Sequence, residues 1–184
     1  KAGDCIKCGR CEARCPQKLQ IRAYMNQVER LFEDKNNGNY YTTERNIQIL
    51  IYLLKVHGIK KIITSPGSSN INFVYSAQQD GFFEMYSAVD ERSAAYMACG
   101  LAAESGEAVA LSCTGATASR NYVPALTEAF YRKLPVLAIT SAQFEGRIGN
   151  NMPQVIDRSV CQKDILNMSV NVPTVHDWED EWSC

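Results

Sequence analysis

Four short, nearly all-apolar runs constrain this chain more than any other feature: Lys61–Thr64, Phe82–Val89, Ala108–Cys113 and Pro135–Thr140. Between them lie stretches with helical apolar spacing. One runs from a cap at Thr42 or Thr43 through Ile47, Leu50, Ile51 and Leu54 to Gly58, one from Asn70 to Gln78, one from Glu91 to Glu104, and one reaches Tyr131. Apolar strands separated by helices imply strands covered on both faces, as in a parallel sheet. Right-handed crossovers then predict an α/β fold with a doubly wound parallel sheet. Ligands in such sheets collect beyond the carboxyl ends of the strands. Three segments fall there: Ser65–Ser69, Asp90–Glu91 and Thr114–Ala118. Asp90 is expected to cap its helix and Glu91 to sit favourably in the first turn.

The front of the chain follows different rules. Cys5-x2-Cys8-x2-Cys11-x3-Cys15-Pro16 has the ferredoxin-type spacing for a [4Fe–4S] cluster. Thiolates spaced this closely on a loop can wrap the irons of one cube, Gly9 permits a tight turn, and Pro16 leads the chain away. Zinc is the competing metal, although structural zinc sites usually pair two knuckles across a longer gap. Four unligated cysteines are the plain alternative. In two-cluster ferredoxins the fourth cysteine serves the other cluster. Whether Cys15 closes the same cluster therefore stays open. Residues 20–33 have roughly helical spacing at Ile21, Met25, Val28 and Phe32, and 35–39 read as a polar linker. The expected organisation is a small ferredoxin-like segment over 1–34, the linker, a second domain over 40–175, and the start of an interdomain linker over 176–184.

Composition narrows the class. Hydrophobic residues make up 46% of the 184 and charged residues 21%, values of a globular chain. A net charge of −1 gives no general attraction to nucleic acid or an anionic membrane. No apolar run approaches the roughly 18 residues of a membrane span. The eight cysteines are clustered in front and scattered behind, which fits metal ligation and buried thiols in a reducing, cytoplasmic compartment better than a disulfide framework. Beginning at Lys1 and stopping at Trp182-Ser183-Cys184, the chain is expected to be a fragment. His57 and His176 are expected at the surface.

Two resemblances add to this reading. CIKCGRCEARCPQKLQI resembles the iron–sulfur tail of some bacterial aldo/keto reductases, over about the first 33 residues. No barrel is present, so reductase activity is not implied. SPGSSN (65–70), AVDERSAAYMACGLAAESGEAVALSCT (88–114) and GATASRNYVPALTEAFYRKLPVLAIT (115–140) together resemble the pyrimidine-binding domain of thiamine diphosphate enzymes. The likeness is greatest to the menaquinone-pathway synthase group and extends to acetolactate synthase-like proteins.

The second resemblance implies a function. Glu91, in the matching DER motif, would hydrogen-bond N1′ of the aminopyrimidine and promote the imino tautomer that generates the carbon nucleophile. That nucleophile attacks a 2-oxo acid, and the thiazolium takes up the electrons when CO₂ leaves. Ser65, Pro66, Gly67 and Ser68, with Thr114, Gly115, Ala116, Thr117 and Asn121, would line the cofactor. Small side chains there let backbone approach a flat heterocycle, although a tight strand-to-helix turn explains them equally well. Gln154 would contact substrate.

The sequence departs from the synthase pattern at Ser69 and Gln143, where arginines are expected, and at Pro153 in place of Asn. Losing two guanidinium groups weakens recognition of a multi-carboxylate substrate. Another acceptor is therefore expected, with Arg120 and Arg147 as replacement contacts or as solvated surface residues. No GDG motif, with its downstream Asn for Mg²⁺, is present. A diphosphate-binding domain from missing chain or another subunit is therefore the expected partner, in a homo-oligomer, and the chain alone is expected to be inactive. The leading function is part of a lyase or transferase, a decarboxylase or carboligase of 2-oxo acids. The alternatives are an electron-transfer or docking module, and two unrelated gene parts joined.

Overall fold

The computed structural model describes residues 6–15, 20–23, 26, 41–142, 147–152, 155 and 162–172. The chain divides into two compact units, Lys1–Tyr40 and Tyr41–Cys184. Within the first, α1 (Arg10–Arg14) follows Gly9, whose φ of 75° is left-handed and suits glycine. Glu12 accepts hydrogen bonds from Arg22 N at 2.7 Å and Arg22 Nε at 2.8 Å. The Arg22 amide and guanidinium hold the Glu12 carboxyl below its usual range. The expected linker at 35–39 and the segment 176–184 lie outside the described residues.

The second unit alternates helix and strand as expected. Its elements are α2 (Arg45–Val56), β1 (Lys61–Thr64), α3 (Ile71–Gln79), β2 (Glu84–Ser87), α4 (Glu91–Ser105), β3 (Val109–Cys113), α5 (Thr117–Arg120), α6 (Val123–Arg132) and β4 (Val136–Thr140). The sheet order is β2-β1-β3-β4 and every pairing is parallel. The expected parallel α/β sheet is therefore present.

Alternation along the strands sends neighbouring side chains to opposite faces. Ile63, Val109, Leu111 and Cys113 join Ala94, Ala95, Ala98 and Ala102 of α4 and Ala125, Leu126 and Ala129 of α6 in one core. Ile62 and Ala110 join Ile51 and Leu54 of α2 and Phe73, Val74 and Ala77 of α3 in the other. The alanine stripe of α4 lets that helix lie close to the sheet. Each fully buried Ile, Leu or Val contributes about 1.5–3 kcal/mol.

Three boundaries differ from expectation. The cap of α2 is Glu44, not Thr42 or Thr43, and it makes no side-chain capping bond. Thr42 is buried instead: its N–H donates to Ser76 Oγ at 2.9 Å and its Oγ1 accepts from Glu44 N at 3.1 Å. Tertiary anchoring has overridden the local capping preference. β2 is confined to Glu84–Ser87, because Phe82 and Phe83 turn with Asp80, whose carboxylate accepts from Phe82 N at 3.1 Å. The helix expected to reach Tyr131 is two helices, α5 and α6, separated at Asn121 and Tyr122.

Candidate active site

Register decides which loops meet. Thr64 is level with Ser87 on one side and Ser112 on the other, so the loops after β1, β2 and β3 leave the sheet within one residue of the same height. Ser65 N–H donates to Ser112 O at 2.8 Å, and Ala88 N–H to Thr64 O at 2.9 Å. The three segments expected beyond the strand ends are thereby brought to one rim.

On that rim, the loop after β1 is held by Asn70, a residue the sequence did not single out for the site. Asn70 is buried, and its Oδ1 accepts from Gly67 N at 2.8 Å. Its Nδ2 donates to Ser112 Oγ at 3.1 Å and reaches Ser65 O at 3.4 Å. One amide thus ties the turn to the neighbouring strand. Gly67 packs directly on Thr114, and a Cβ there would overlap Thr114 Cγ2. Ser65 is buried, Gly67 half-buried, and Pro66, Ser68 and Ser69 are exposed.

The loop after β3 is strained. Ala116 has φ 57° and ψ −116° while almost wholly buried, a conformation that L-residues rarely adopt. It turns the chain from β3 into α5, with Thr114 and Gly115 half-buried and Thr117 exposed. Asn121 caps the end of α5, and its Nδ2 donates to Thr117 O at 3.3 Å.

After β2, Asp90 caps α4 as expected: its carboxylate accepts from Ser93 N at 2.8 Å and Ser93 Oγ at 2.7 Å. These bonds hold the Asp90 carboxyl below its usual range. Glu91 is the first residue of α4 and half-buried, whereas Asp90, Arg92 and Ser93 are exposed. Spacing by three and four puts Glu91 on the face of Ala94 and Ala95, both buried in the core.

Among the described residues of this unit, the buried hydroxyls Thr64 Oγ1, Ser65 Oγ and Tyr122 Oη find no nitrogen or oxygen partner, Tyr122 Oη lying beside Cys113. An unmet buried polar group costs about 1–3 kcal/mol, so such groups mark where a ligand or ordered water belongs. Burial pushes the Tyr122 phenol well above its usual range, with Cys113 and the Glu91 carboxylate adding to the effect. The rim thus presents a half-buried carboxyl at Glu91 beside two buried loop hydroxyls, at Thr64 and Ser65, that have no hydrogen-bond partner.

Residues 45–161 match the family model of the thiamine pyrophosphate enzymes, N-terminal TPP binding domain. The chain belongs to this family. Over 144 residues it is 39% identical to the 2-succinyl-5-enolpyruvyl-6-hydroxy-3-cyclohexene-1-carboxylate synthase of Phocaeicola vulgatus, covering 78% of this chain and 26% of that protein. The synthase of the same name from Porphyromonas gingivalis is 46% identical over 101 residues, covering 55% of this chain and 18% of that protein. This chain thus spans about a quarter of the first relative's length. Among solved structures, the thiamine diphosphate-dependent 4-hydroxybenzoylformate decarboxylase of Rhodococcus jostii RHA1 superposes with a TM-score of 0.56 at 23% identity. That match covers 62% of this chain and 21% of the decarboxylase. The benzoylformate decarboxylase of Polynucleobacter necessarius gives 0.53 at 20% identity, over 60% and 20% of the two chains. Both show the TPP-domain fold.

Other expected contacts have different outcomes. Gln154, Gln143 and Pro153 lie outside the described residues, while Ser69, Arg120 and Arg147 are exposed. Cys5 and Pro16 also lie outside them. Cys8 and Cys11 are exposed free thiols and Cys15 is half-buried. Among the described residues, no group of three or more His, Cys, Asp or Glu is placed to hold a metal. The three described cysteines do not, in this arrangement, form a cluster cradle. Among the described residues, no helix is long and apolar enough to cross a membrane.

Proposed function

We propose that this chain is the part of a thiamine diphosphate-dependent 2-oxo acid decarboxylase or carboligase that activates the cofactor through Glu91. The observation that carries the reading is the position of Glu91, half-buried at the first turn of α4 on the rim where three loops meet. When bound, thiamine diphosphate supplies a carbon nucleophile and an electron sink. Glu91 would present its carboxyl to the aminopyrimidine nitrogen and would hold a proton there. Ser65–Ser68 and Thr114–Thr117 supply a close-packed floor, and Asn121 stands at the end of α5 beside it. Mg²⁺ and the diphosphate belong to a partner domain, from further chain or another subunit of a homo-oligomer.

Membership of the family supports a 2-oxo acid substrate. Ser69 and Gln143 in place of arginines support a different acceptor from that of the synthases, with Gln154 as a substrate contact. In the full-length protein, Glu91→Gln should lower turnover of 2-oxo acids by about 10²–10⁴-fold with the fold intact by circular dichroism. Unchanged turnover would remove the assignment.

A second reading concerns the front unit. Cys5, Cys8, Cys11 and Cys15 are proposed to ligate a [4Fe–4S] cluster, on the strength of their spacing and of the left-handed turn at Gly9. The cluster would make this unit an electron-transfer or docking module. Anaerobic reconstitution with iron and sulfide tests it, and a colourless product without iron–sulfur absorption would end this reading.

A further inference from the structure

Tyr122 stands between α5 and α6, with none of its surface exposed and its hydroxyl beside Cys113 but without a nitrogen or oxygen partner. A phenylalanine would fill the same space without burying an unmet O–H, so the oxygen needs a separate explanation. It belongs to the same buried cluster as Ala88, Ala94, Ala95, Cys113 and Ala118. Ala94 and Ala95 lie one turn along α4 from Glu91, on the same face. Cys113, the other polar group of that cluster, donates its S–H to Thr114 O at 3.1 Å, and sulfur is a weak acceptor. The strong acceptor one turn along this face is the Glu91 carboxylate, whose charge is felt at the phenol. Asp90, its acidic neighbour, is already engaged by Ser93.

We propose that Tyr122 is a positioning residue for Glu91: the phenol O–H donates to one carboxylate oxygen, directly or through one ordered water, from inside the core. That bond selects the side-chain rotamer of Glu91 and leaves the second oxygen facing the rim. A carboxyl held in one rotamer loses less entropy on meeting a ring nitrogen, which is preorganisation of the acid–base pair. The catalytic consequence rests on the thiamine reading above, whereas the Tyr122–Glu91 pairing does not.

A double-mutant cycle tests the pairing in the chain without thiamine. Tyr122→Phe is expected to lower the urea midpoint when Glu91 is present, and to leave it unchanged or raise it in the Glu91→Ala background. Equal shifts in both backgrounds would overturn the proposal. In the thiamine-loaded full-length protein, Tyr122→Phe should lower kcat by about 10- to 100-fold with KM unchanged. An unchanged kcat would overturn the positioning role. Coupling without thiamine binding would fail the functional reading alone, and thiamine binding with additive substitutions would fail this proposal alone.

Discussion

Gly67 and Thr114 are packed so closely that a methyl group on Gly67 would overlap the Cγ2 of Thr114. Neither residue is near the other in sequence, and each belongs to a different loop of the rim. The contact makes the β1 and β3 loops one surface, and it requires glycine on one side.

Gly67→Ala should therefore destabilise the chain by about 1–3 kcal/mol through overpacking. Thr114→Ser removes the methyl that is overlapped and should restore most of the loss in the double variant. Urea midpoints of the four proteins measure both effects. Additive costs would show that the two loops do not press on each other.

Ala116 allows a test in which the sign is informative. Its positive φ costs of order 1–3 kcal/mol in an L-residue. Glycine removes that cost while adding about 0.4–1 kcal/mol of unfolded-state freedom. Ala116→Gly should thus raise stability, whereas Ala116→Val, a β-branched residue in the same buried place, should lower it by more than about 2 kcal/mol. Thermal unfolding of the two variants separates strain from packing.

Asn70→Ala leaves Gly67 N–H and Ser112 Oγ without their partner and opens space beneath the turn. The expected loss is about 2–3 kcal/mol. Amide exchange at Gly67 should accelerate more than exchange at Ile63 in the sheet. Equal acceleration at both would mean a global loss of stability and no specific tie.

The cap at Asp90 gives a pH dependence. Its bonds to Ser93 hold the folded-state carboxyl below the unfolded value. The contribution is therefore present above the ordinary carboxylate range and is lost as pH falls through the lowered folded value. The difference in melting temperature between the wild-type chain and Asp90→Ala should be full at neutral pH and vanish at strongly acid pH. A difference that grows on acidification would contradict the assignment.

Much of the fold was legible because its signals are local. Helical spacing around Ile51 and Leu54, the apolar runs, and Asp90 three residues before Ser93 all act within a turn or two. Thr42 misled because its partner, Ser76, is 34 residues away, and a local capping preference cannot register that bond. The site divides in the same way. Small residues after β1 and β3 were visible, and so was Glu91 by resemblance. Asn70 and Tyr122 were not, since their roles arise from Ser112 and from the α4 face, which only the crossovers bring near. Asn70 stands just before a helix, where it reads as an ordinary capping residue. Tyr122 precedes a Val-Pro helix start and reads as one more core aromatic.

Level strand ends have an evolutionary corollary. With Thr64, Ser87 and Ser112 aligned, insertions or exchanges in any one loop alter the rim without shifting a strand by a residue. New acceptor preferences can then arise by loop replacement while both apolar layers beneath stay as they are. Variation among descendants of this scaffold should concentrate above that line.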